Sequence, residues 1–418
     1  MGVVTRALAG LGDVLGERRA LHPSQGEEWR GVFGAGVESY AGVDVTVEGA
    51  LALPAMWACA KVLAESTAML PLIVYRREGE GRTRAMDHAV YELLHGAPNP
   101  EQTSMEFREM TMLHLASWGN AYAEIEVDGG GRVRALWPLL PGNMVEVKRR
   151  EGRLRYHYRL PSGEMRWLDE SQVLHQRGLS GDGLLGYSPV RVAMQAIGLG
   201  LAAEEYGARF FGSGARPDLV LMHPGKLSEE AVARLKRGWQ REHQGLRQAH
   251  RLRVLEEGMQ LEKVGTPPQE AQFLETRRFQ ALDVARMFRM PPHKIGLLDQ
   301  ATFSNIEHQS IEFVTDTLMP WLVRMEQRYA LELLSGRERR SMYVEHLTDA
   351  LVRGDILTRY RAYAMGRQWG WLSINDVRQR ENMDPIAEGD GYLSPLNMVP
   401  VGSEGTPPQP SPTGEGVG

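Results

Sequence analysis

The sequence predicts an α+β protein with its sheets in the first half and helices dominating the second. Three observations carry that prediction. Between residues 50 and 186, short strand-like segments alternate with turn residues. From Ser188 onward, apolar residues recur at helical spacing instead. A small mixed module, 216–265, sits between two amphipathic helical runs, 188–212 and 267–290.

Residues 1–45 are Gly-rich without a period of 3.6 or 2, and read as a loosely ordered arm. A helix runs through Met56, Cys59, Val62, Leu63 and Ser66 and stops at Pro71, before a strand at Leu72-Ile73-Val74-Tyr75. Thr103 supplies a hydroxyl cap for a helix carrying Phe107, Met110 and Leu113. Strands follow at 121–127, 133–137, 144–148, 154–158 and 173–176. Turns at Asp128-Gly129-Gly130-Gly131, Pro141-Gly142-Asn143 and Pro161-Ser162-Gly163 separate most of them, so the sheet is antiparallel.

Ser188-Pro189 combines an N-cap with proline at the first helical position, and Val190, Ala193, Ile197, Leu201, Ala208 and Phe211 continue the stripe. The module holds a strand at 219–222, a helix from Ser228 through Val232, Leu235 and Trp239, and a strand at 252–255. Pro267-Pro268 restarts a helix with Leu274, Ala281, Ala285 and Phe288 on one face, ended by Pro291-Pro292. After an irregular stretch, 294–303, the capping box Ser304-Asn305-Ile306-Glu307 opens the longest helix, which carries Ile311, Val314, Leu318, Trp321, Leu322, Met325 and Tyr329. Pro320 inside that pattern predicts a kink. Residues 340–397 read as helical with Gly punctuation, and 401–418, all but devoid of apolar bulk, as a disordered tail.

Composition excludes several functions. Lys and Arg total 48 against 53 Asp and Glu, a net charge of −5, which rules out a chain that coats DNA by bulk charge. One cysteine, Cys59, rules out an intrachain disulfide framework and a multi-cysteine zinc site, and suits a reducing cytoplasm. No uncharged apolar run reaches the ~18–20 residues a membrane helix needs, so no membrane role is expected. There is no phosphate-binding G-x-x-x-x-G-K-[ST], no H-E-x-x-H and no G-x-S-x-G. His88 and His95 flank a short helix with no third ligand nearby. The acidic pairs Glu204-Glu205, Glu229-Glu230 and Glu256-Glu257 are neighbours that point ~100° apart on a helix. No catalytic, cofactor or metal site is expected.

Three features stand above this background. Arg234, Lys236, Arg237, Arg241, Arg247, Arg251 and Arg253 form a basic run broken by the single acid Glu242, either a solvated helix face or a docking face for an acidic partner or DNA phosphates. The helical runs on either side of the module leave and return, as an antiparallel stalk would. Ala193, Ala196, Gly198, Gly200, Ala202, Ala203, Gly207 and Ala208 permit close approach, and a bare two-helix stalk buries both faces only against further copies. The third is the loop Gly296-Leu297-Leu298-Asp299-Gln300-Ala301-Thr302-Phe303, not especially polar and so expected to be held against something or positioned for work.

A succession of phrases resembles the portal, or head–tail connector, proteins of long-tailed double-stranded-DNA bacteriophages. They are Leu51 to Ala64 followed by Leu70-Pro71-Leu72, then Ala97-Pro98-Asn99-Pro100, Trp118-Gly119-Asn120-Ala121-Tyr122 and Gly186-Tyr187-Ser188-Pro189. Phe210-Phe211, Gly214-Ala215-Arg216-Pro217, Pro291-Pro292-His293, Thr302-Phe303-Ser304-Asn305 and Leu372-Ser373-Ile374-Asn375-Asp376-Val377-Arg378 continue the series. The resemblance covers about 50–400 and rests on the order of many phrases.

The resemblance implies a portal fold with an α+β wing, a helical stem, a small α/β clip and a helical crown. The implied divisions are a flexible arm at 1–45, a wing at 46–187, stem helices at 188–214 and 267–293, and a clip at 215–266. A channel loop would span 294–303, a kinked helix 304–338 would return to the wing, and the crown would be 339–400, before the disordered tail at 401–418. It implies a non-enzymatic homo-oligomeric ring, usually of twelve copies, at one capsid vertex of the virion and assembled in the host cytoplasm. Double-stranded DNA would pass through it, with Leu298, Asp299, Gln300, Ala301, Thr302 and Phe303 at the channel and the basic run as docking face. Implied partners are the terminase large subunit, a head–tail adaptor, and the major capsid and scaffold proteins. Competing readings are a smaller head–tail adaptor or minor head protein, and a metal-dependent nucleic-acid-processing enzyme built on carboxylates such as Asp182, Glu204 and Asp299.

Overall fold

The structure, a computed structural model, describes residues 37–79, 81–212, 219–222, 225, 227–234, 260–263, 270–298, 309–348, 356–381 and 383–393. The chain divides into two compact units, Met1–Thr348 and Asp349–Gly418.

The first unit opens with a hairpin, β1 (Val37–Glu38) against β2 (Asp44–Val45). This corrects the reading of 1–45 as a loose arm in its last nine residues: Val45 is buried, and the Tyr40 amide donates to Gln195 Oε1 at 2.8 Å. A two-residue strand is too short to show a period, so only the tertiary contact reveals it. Residues 1–36 lie outside the described residues.

Helix α1 (Val47–Ala52) leads into α2 (Pro54–Ala68), where Pro54 occupies the first turn without losing a hydrogen bond. Met56, Cys59, Leu63 and Ala64 face the core, and burial pushes the Cys59 thiol up to about 12, a core residue rather than a nucleophile. Helix α3 (Ala89–His95) is capped by His88, whose Nδ1 accepts from the Val90 amide at 3.3 Å. Helix α4 (Ser104–Trp118) starts on a complete capping box between Thr103 and Glu106 and packs along α2.

Strand β3 (Leu72–Glu78) pairs antiparallel with β4 (Gly81–Arg84). The expected strands form as β5 (Asn120–Val127), β6 (Val133–Leu139), β7 (Met144–Arg150), β8 (Arg153–Arg159) and β10 (Val173–Arg177), joined by β9 (Met165–Asp169). They build two three-stranded antiparallel sheets, β10-β5-β6 and β7-β8-β9, with Tyr122, Met144, Val147, Tyr156, Leu168 and Val173 in one core. The glycine run after β5 is a hairpin turn, as expected: Asp128 Oδ1 accepts from Gly130 N at 2.8 Å and Arg132 N at 2.9 Å.

Past this core the chain forms α5 (Pro189–Val192) and α6 (Met194–Gly212), a short pair of strands β11 (Leu219–Met222) and β12 (Gln260–Lys263), and α7 (Glu270–Met287). The partner of β11 is β12, with Leu219 opposite Lys263, whereas the strand expected at 252–255 falls outside the described residues. Ser228 does initiate a helix, its Oγ accepting from the Ala231 amide at 3.3 Å.

The long helix carries its irregularity before Pro320, as a π-helical turn over Phe313–Leu318 that runs into α8 (Met319–Leu333). Pro320 has no N–H for the carbonyl of Asp316, and its ring would crowd that carbonyl; a wider turn relieves both. The capping box expected at 304–307 lies outside the described residues.

One element departs from the expected division at 339 and from the helical reading of 340–397. Met342–His346 is a strand, β13, pairing antiparallel with β3 so that Tyr343 stands opposite Tyr75. Its alternation, buried at Met342, Val344 and His346, is a half-buried strand pattern, and it belongs to the first unit.

In the second unit, α9 (Ile356–Gln368) and α10 (Ile374–Arg380) are tied by Glu381, which receives Arg359 at 2.7 Å and the Tyr363 hydroxyl at 3.0 Å. Ser373 and Asp376 cap α10 reciprocally. The tail, 401–418, lies outside the described residues.

Candidate functional site: a helix pair, its junction with the sheets and its loop

Two phrases separated by 66 residues meet at the root of α5. α4 ends at Gly119, which adopts a left-handed conformation, φ 72°. Asn120 then clamps Gly186: its Oδ1 accepts the Gly186 amide at 2.8 Å and its Nδ2 donates to the Gly186 carbonyl at 2.9 Å. Ser188 Oγ donates to the Ser117 carbonyl at 2.8 Å while also capping α5 by accepting from the Arg191 amide at 3.3 Å. The point at which the helices leave the sheets is thus held by side chains on both strands of the crossing.

Beneath it lies His175 on β10, fully buried. Asn120 Oδ1 is an acceptor, so the His175 Nε2–H donates to it at 3.1 Å. Nδ1 is then left as an acceptor, for the Tyr156 hydroxyl at 3.2 Å and the Arg177 Nε–H at 3.3 Å. Burial holds His175 well below its usual range, and the nearby Arg177 and Arg328 add to that. A second proton would have to sit on Nδ1, facing two donors.

Burial also pushes His114 down to about 4, and lowers His346 against the opposing pull of Glu326. All three shifts are downward, so below the ordinary histidine value the unfolded chain binds more protons than the folded one. Stability is expected to be full above pH ~6.5 and to fall as the pH drops toward 4, by about 1.4 kcal/mol per pH unit for each histidine at most. Urea unfolding at a series of pH values checks this; equal stability at pH ~7 and ~5 would contradict it.

Helices α6 and α7 pack side by side. A Cβ at Gly207 would lie 2.7 Å from the Phe273 ring, so glycine is what lets the two approach. Arg277 of α7 pairs with Glu204 of α6 at 3.0 Å, and Tyr206 leans on Phe273 with centroids 6.0 Å apart. Gly198 and Gly200 meet the β1–β2 hairpin and Leu53. Three of the small residues seen in the sequence therefore serve packing inside one chain. Val192 on α5 and Leu199 on α6 remain exposed, as do Leu274 and Phe279 on α7, whose five-residue spacing sets them ~140° apart on their helix.

The loop that follows α7 has a fixed base. His293 Nδ1 lies 2.7 Å from Gln309 Oε1, and Lys294 sits over the Phe313 ring at 5.3 Å, so the two ends of the 299–308 segment are held together. Gly296 ends the turn before it with φ 84°. Of the expected channel residues, Leu298 is exposed at this base, and Asp299, Gln300, Ala301, Thr302 and Phe303 lie outside the described residues. Of the expected docking face, Arg234 is exposed, and Lys236, Arg237, Arg241, Arg247, Arg251 and Arg253 lie outside them.

Of the three carboxylates in the competing enzymatic reading, Asp182 and Glu204 have structural partners. Burial acts to raise the Asp182 carboxyl, but the amides of Leu184 and Leu185 and the Ser180 hydroxyl outweigh it and lower it. Glu204 is paired with Arg277, and Asp299 lies outside the described residues. Among the described residues, no three His, Cys, Asp or Glu side chains gather as a metal site would require, and no helix is long and apolar enough to cross a membrane.

Residue-by-residue reading missed His175, Asn120 and the Gly186 clamp. The signal for two of them was present as phrases, Trp118 to Tyr122 and Gly186 to Pro189, whose meaning is that they touch.

The family described as phage portal protein matches residues 54–382. A probable portal protein of Streptomyces phage phiC31 is 35% identical over 393 residues, covering 90% of this chain and 85% of the relative. The portal protein of Enterobacteria phage HK97 is 30% identical over 398 residues, covering 94% and 92%. A chain from the neck of an empty GTA particle, computed with C6 symmetry, aligns with a TM-score of 0.56 at 28% identity over 79% of this chain and 90% of its own. An HK97 family phage portal protein from Corynebacterium diphtheriae shares the fold, with a TM-score of 0.56 at 18% identity over 75% and 99%. A chain matched by the portal family over most of its length, and this similar to two phage portal proteins, belongs to the phage portal protein family.

Proposed function

We propose that copies of this chain close into a ring of twelve at a single capsid vertex of a virion, around a channel through which double-stranded DNA is packaged and ejected. The observation that carries the reading is the set of large apolar side chains left exposed along the helix pair and at its root. Val192 on α5, Leu199 on α6, and Leu274 and Phe279 on α7 are exposed in the single chain, although each would gain about 1.5–3 kcal/mol on full burial. Identical neighbours on both sides in a closed ring cover such side chains without leaving an edge. The portal relatives and the particle-neck structure support the same arrangement.

In that ring, α6 and α7 are the stem, and the segment from Leu298 to Phe303, projected from the His293–Gln309 base, borders the channel. Subunits at −5 each sum to an acidic wall that repels phosphates, so DNA slides instead of adhering, while local basic residues centre it. The run Arg234, Lys236, Arg237, Arg241, Arg247, Arg251 and Arg253 is the docking face for the terminase large subunit and the head–tail adaptor, and the major capsid and scaffold proteins are further partners. Hydrolysis and DNA cutting belong to the partner, not to this chain.

The test is assembly. The purified chain is expected to give rings with a central hole by negative-stain microscopy. The double variant Val192→Glu/Leu199→Glu is expected to give folded single copies by light scattering, with an unchanged circular-dichroism spectrum. Rings that form equally well from the double variant, or a wild-type chain that stays single at every concentration, would overturn the reading. Deletion of 298–303 is expected to impair packaging or genome retention without dissolving the ring.

A further inference from the structure

The second unit carries an aromatic surface on which the described chain comes to an end. Trp369 is 48% exposed, Trp371 67% and Tyr392 62%. Trp369 and Trp371 belong to one turn, and Tyr392 to a segment packed against it. After α9, Gly370 takes a left-handed conformation, φ 75°, and the amides of Trp371 and Leu372 fold back to the Gly366 carbonyl at 3.0 and 3.1 Å. The 391–393 segment is laid across this turn: the Arg367 guanidinium donates to the Gly391 carbonyl at 3.1 Å, and a Cβ at Gly370 would overlap the Leu393 carbonyl oxygen. Asp376 accepts the Tyr392 hydroxyl. Leu393 thus sits on a glycine flanked in sequence by two exposed indoles.

The 25 residues that follow, 394–418, contain no Trp, Tyr or Phe, but they hold six prolines, four of them in Pro407-Pro408-Gln409-Pro410-Ser411-Pro412. Proline fixes φ near −65°, and such a run favours the extended polyproline II helix. A proline-rich segment of this kind gives up little conformational freedom on binding and is recognised by surfaces of exposed aromatic rings.

We propose that the 407–412 segment docks on the Trp369 and Trp371 surface of its own second unit. The tether makes this occupant the favoured one. Thirteen residues, 394–406, separate the turn from Pro407. As a flexible chain they span ~20 Å, which gives an effective concentration of about millimolar. A contact too weak to form between free molecules is then populated within one chain. A proline-rich segment of another protein would have to displace the tail to reach the same surface, so the tail is a built-in competitor for this part of the molecule.

Hydroxyl-radical footprinting read by mass spectrometry tests the proposal on three proteins: the full chain, a chain stopped after Pro400, and a full-length chain with Pro407→Ala, Pro408→Ala, Pro410→Ala and Pro412→Ala. None of these changes touches the described fold. Trp369 and Trp371 are expected to oxidise several-fold more slowly in the full chain than in either variant, with Trp57 of the first unit unchanged. A synthetic peptide of residues 403–415 at about millimolar concentration is expected to restore protection to the shortened chain. Equal oxidation in all three would overturn the proposal, whether fast, because the surface is open, or slow, because another copy or another segment covers it. Protection lost on truncation but kept in the four-proline variant would overturn the polyproline recognition.

Discussion

Arg108→Met is expected to destabilise the first unit by about 3–5 kcal/mol, from two charge-assisted hydrogen bonds at about 1.5–3 kcal/mol each. Arg108 is 5% exposed and, among the described residues, pairs with no carboxylate. Its guanidinium forks to the carbonyl of Leu94 at 2.8 Å and that of Ala68 at 2.8 Å. Those carbonyls close the last turns of α3 and α2, where the helix dipoles concentrate negative charge and no intrahelical donor remains. Burial lowers the Arg108 pKa, opposed by the nearby Tyr329 hydroxyl, yet arginine stays charged far above neutral pH. Methionine fills the space but orphans both carbonyls. Arg108→Lys keeps the charge without the fork, and is expected to fall between the two. Urea unfolding of the three proteins measures the effect; a methionine variant as stable as the parent would show that the carbonyls find other donors.

The second large effect is expected at the crossing of the two phrases. Gly119→Ala places a Cβ on the carbonyl oxygen of Tyr187, and Gly186→Ala places one on the carbonyl oxygen of Gly119. Backbone cannot swing aside as a long side chain can, and Gly119 is further constrained by its φ of 72°, which costs a residue with a Cβ about 1–2 kcal/mol before any clash. Either substitution must open the Asn120 clamp or move the start of α5. Each is expected to abolish soluble folded protein or to cost at least about 3 kcal/mol. Gly129→Ala is the control, since its Cβ would meet nothing within 4 Å. Proteolytic resistance and urea midpoints of the three variants decide the matter; a Gly186→Ala protein with native stability would mean the crossing is looser than its geometry.

These two sites differ in how they could be read. Gly119 was visible as part of Trp118-Gly119-Asn120-Ala121-Tyr122, and its place right after a capped helix is the ordinary signature of a left-handed helix end. Arg108 was not visible at all. It lies on a helix whose apolar residues define the stripe, and a lone arginine in such a helix reads as solvent-facing until the ends of two other helices are found pointing at it. β13 was hidden for a similar reason. Its five residues alternate, but the partner β3 lies some 270 residues earlier, and a short alternating run between helical segments has nothing local to mark it as a strand.

The local chemistry was legible wherever it is local. Thr103, Ser188 with Pro189, Ser228 and the Asp128 turn all behave as their side chains dictate, because a cap or a tight turn is closed by atoms within four residues of one another. Family membership was legible too, since it rests on ordered phrases along one chain. What the tertiary structure decided is which of those phrases touch, which small residues of α6 are used inside the chain and which apolar ones are left outside it. It also decided that His175 stays neutral between an amide and a phenol. Those outcomes depend on burial and on contacts across tens to hundreds of residues, and neither charge, period nor spacing along the chain encodes the distance between two atoms that only folding brings together.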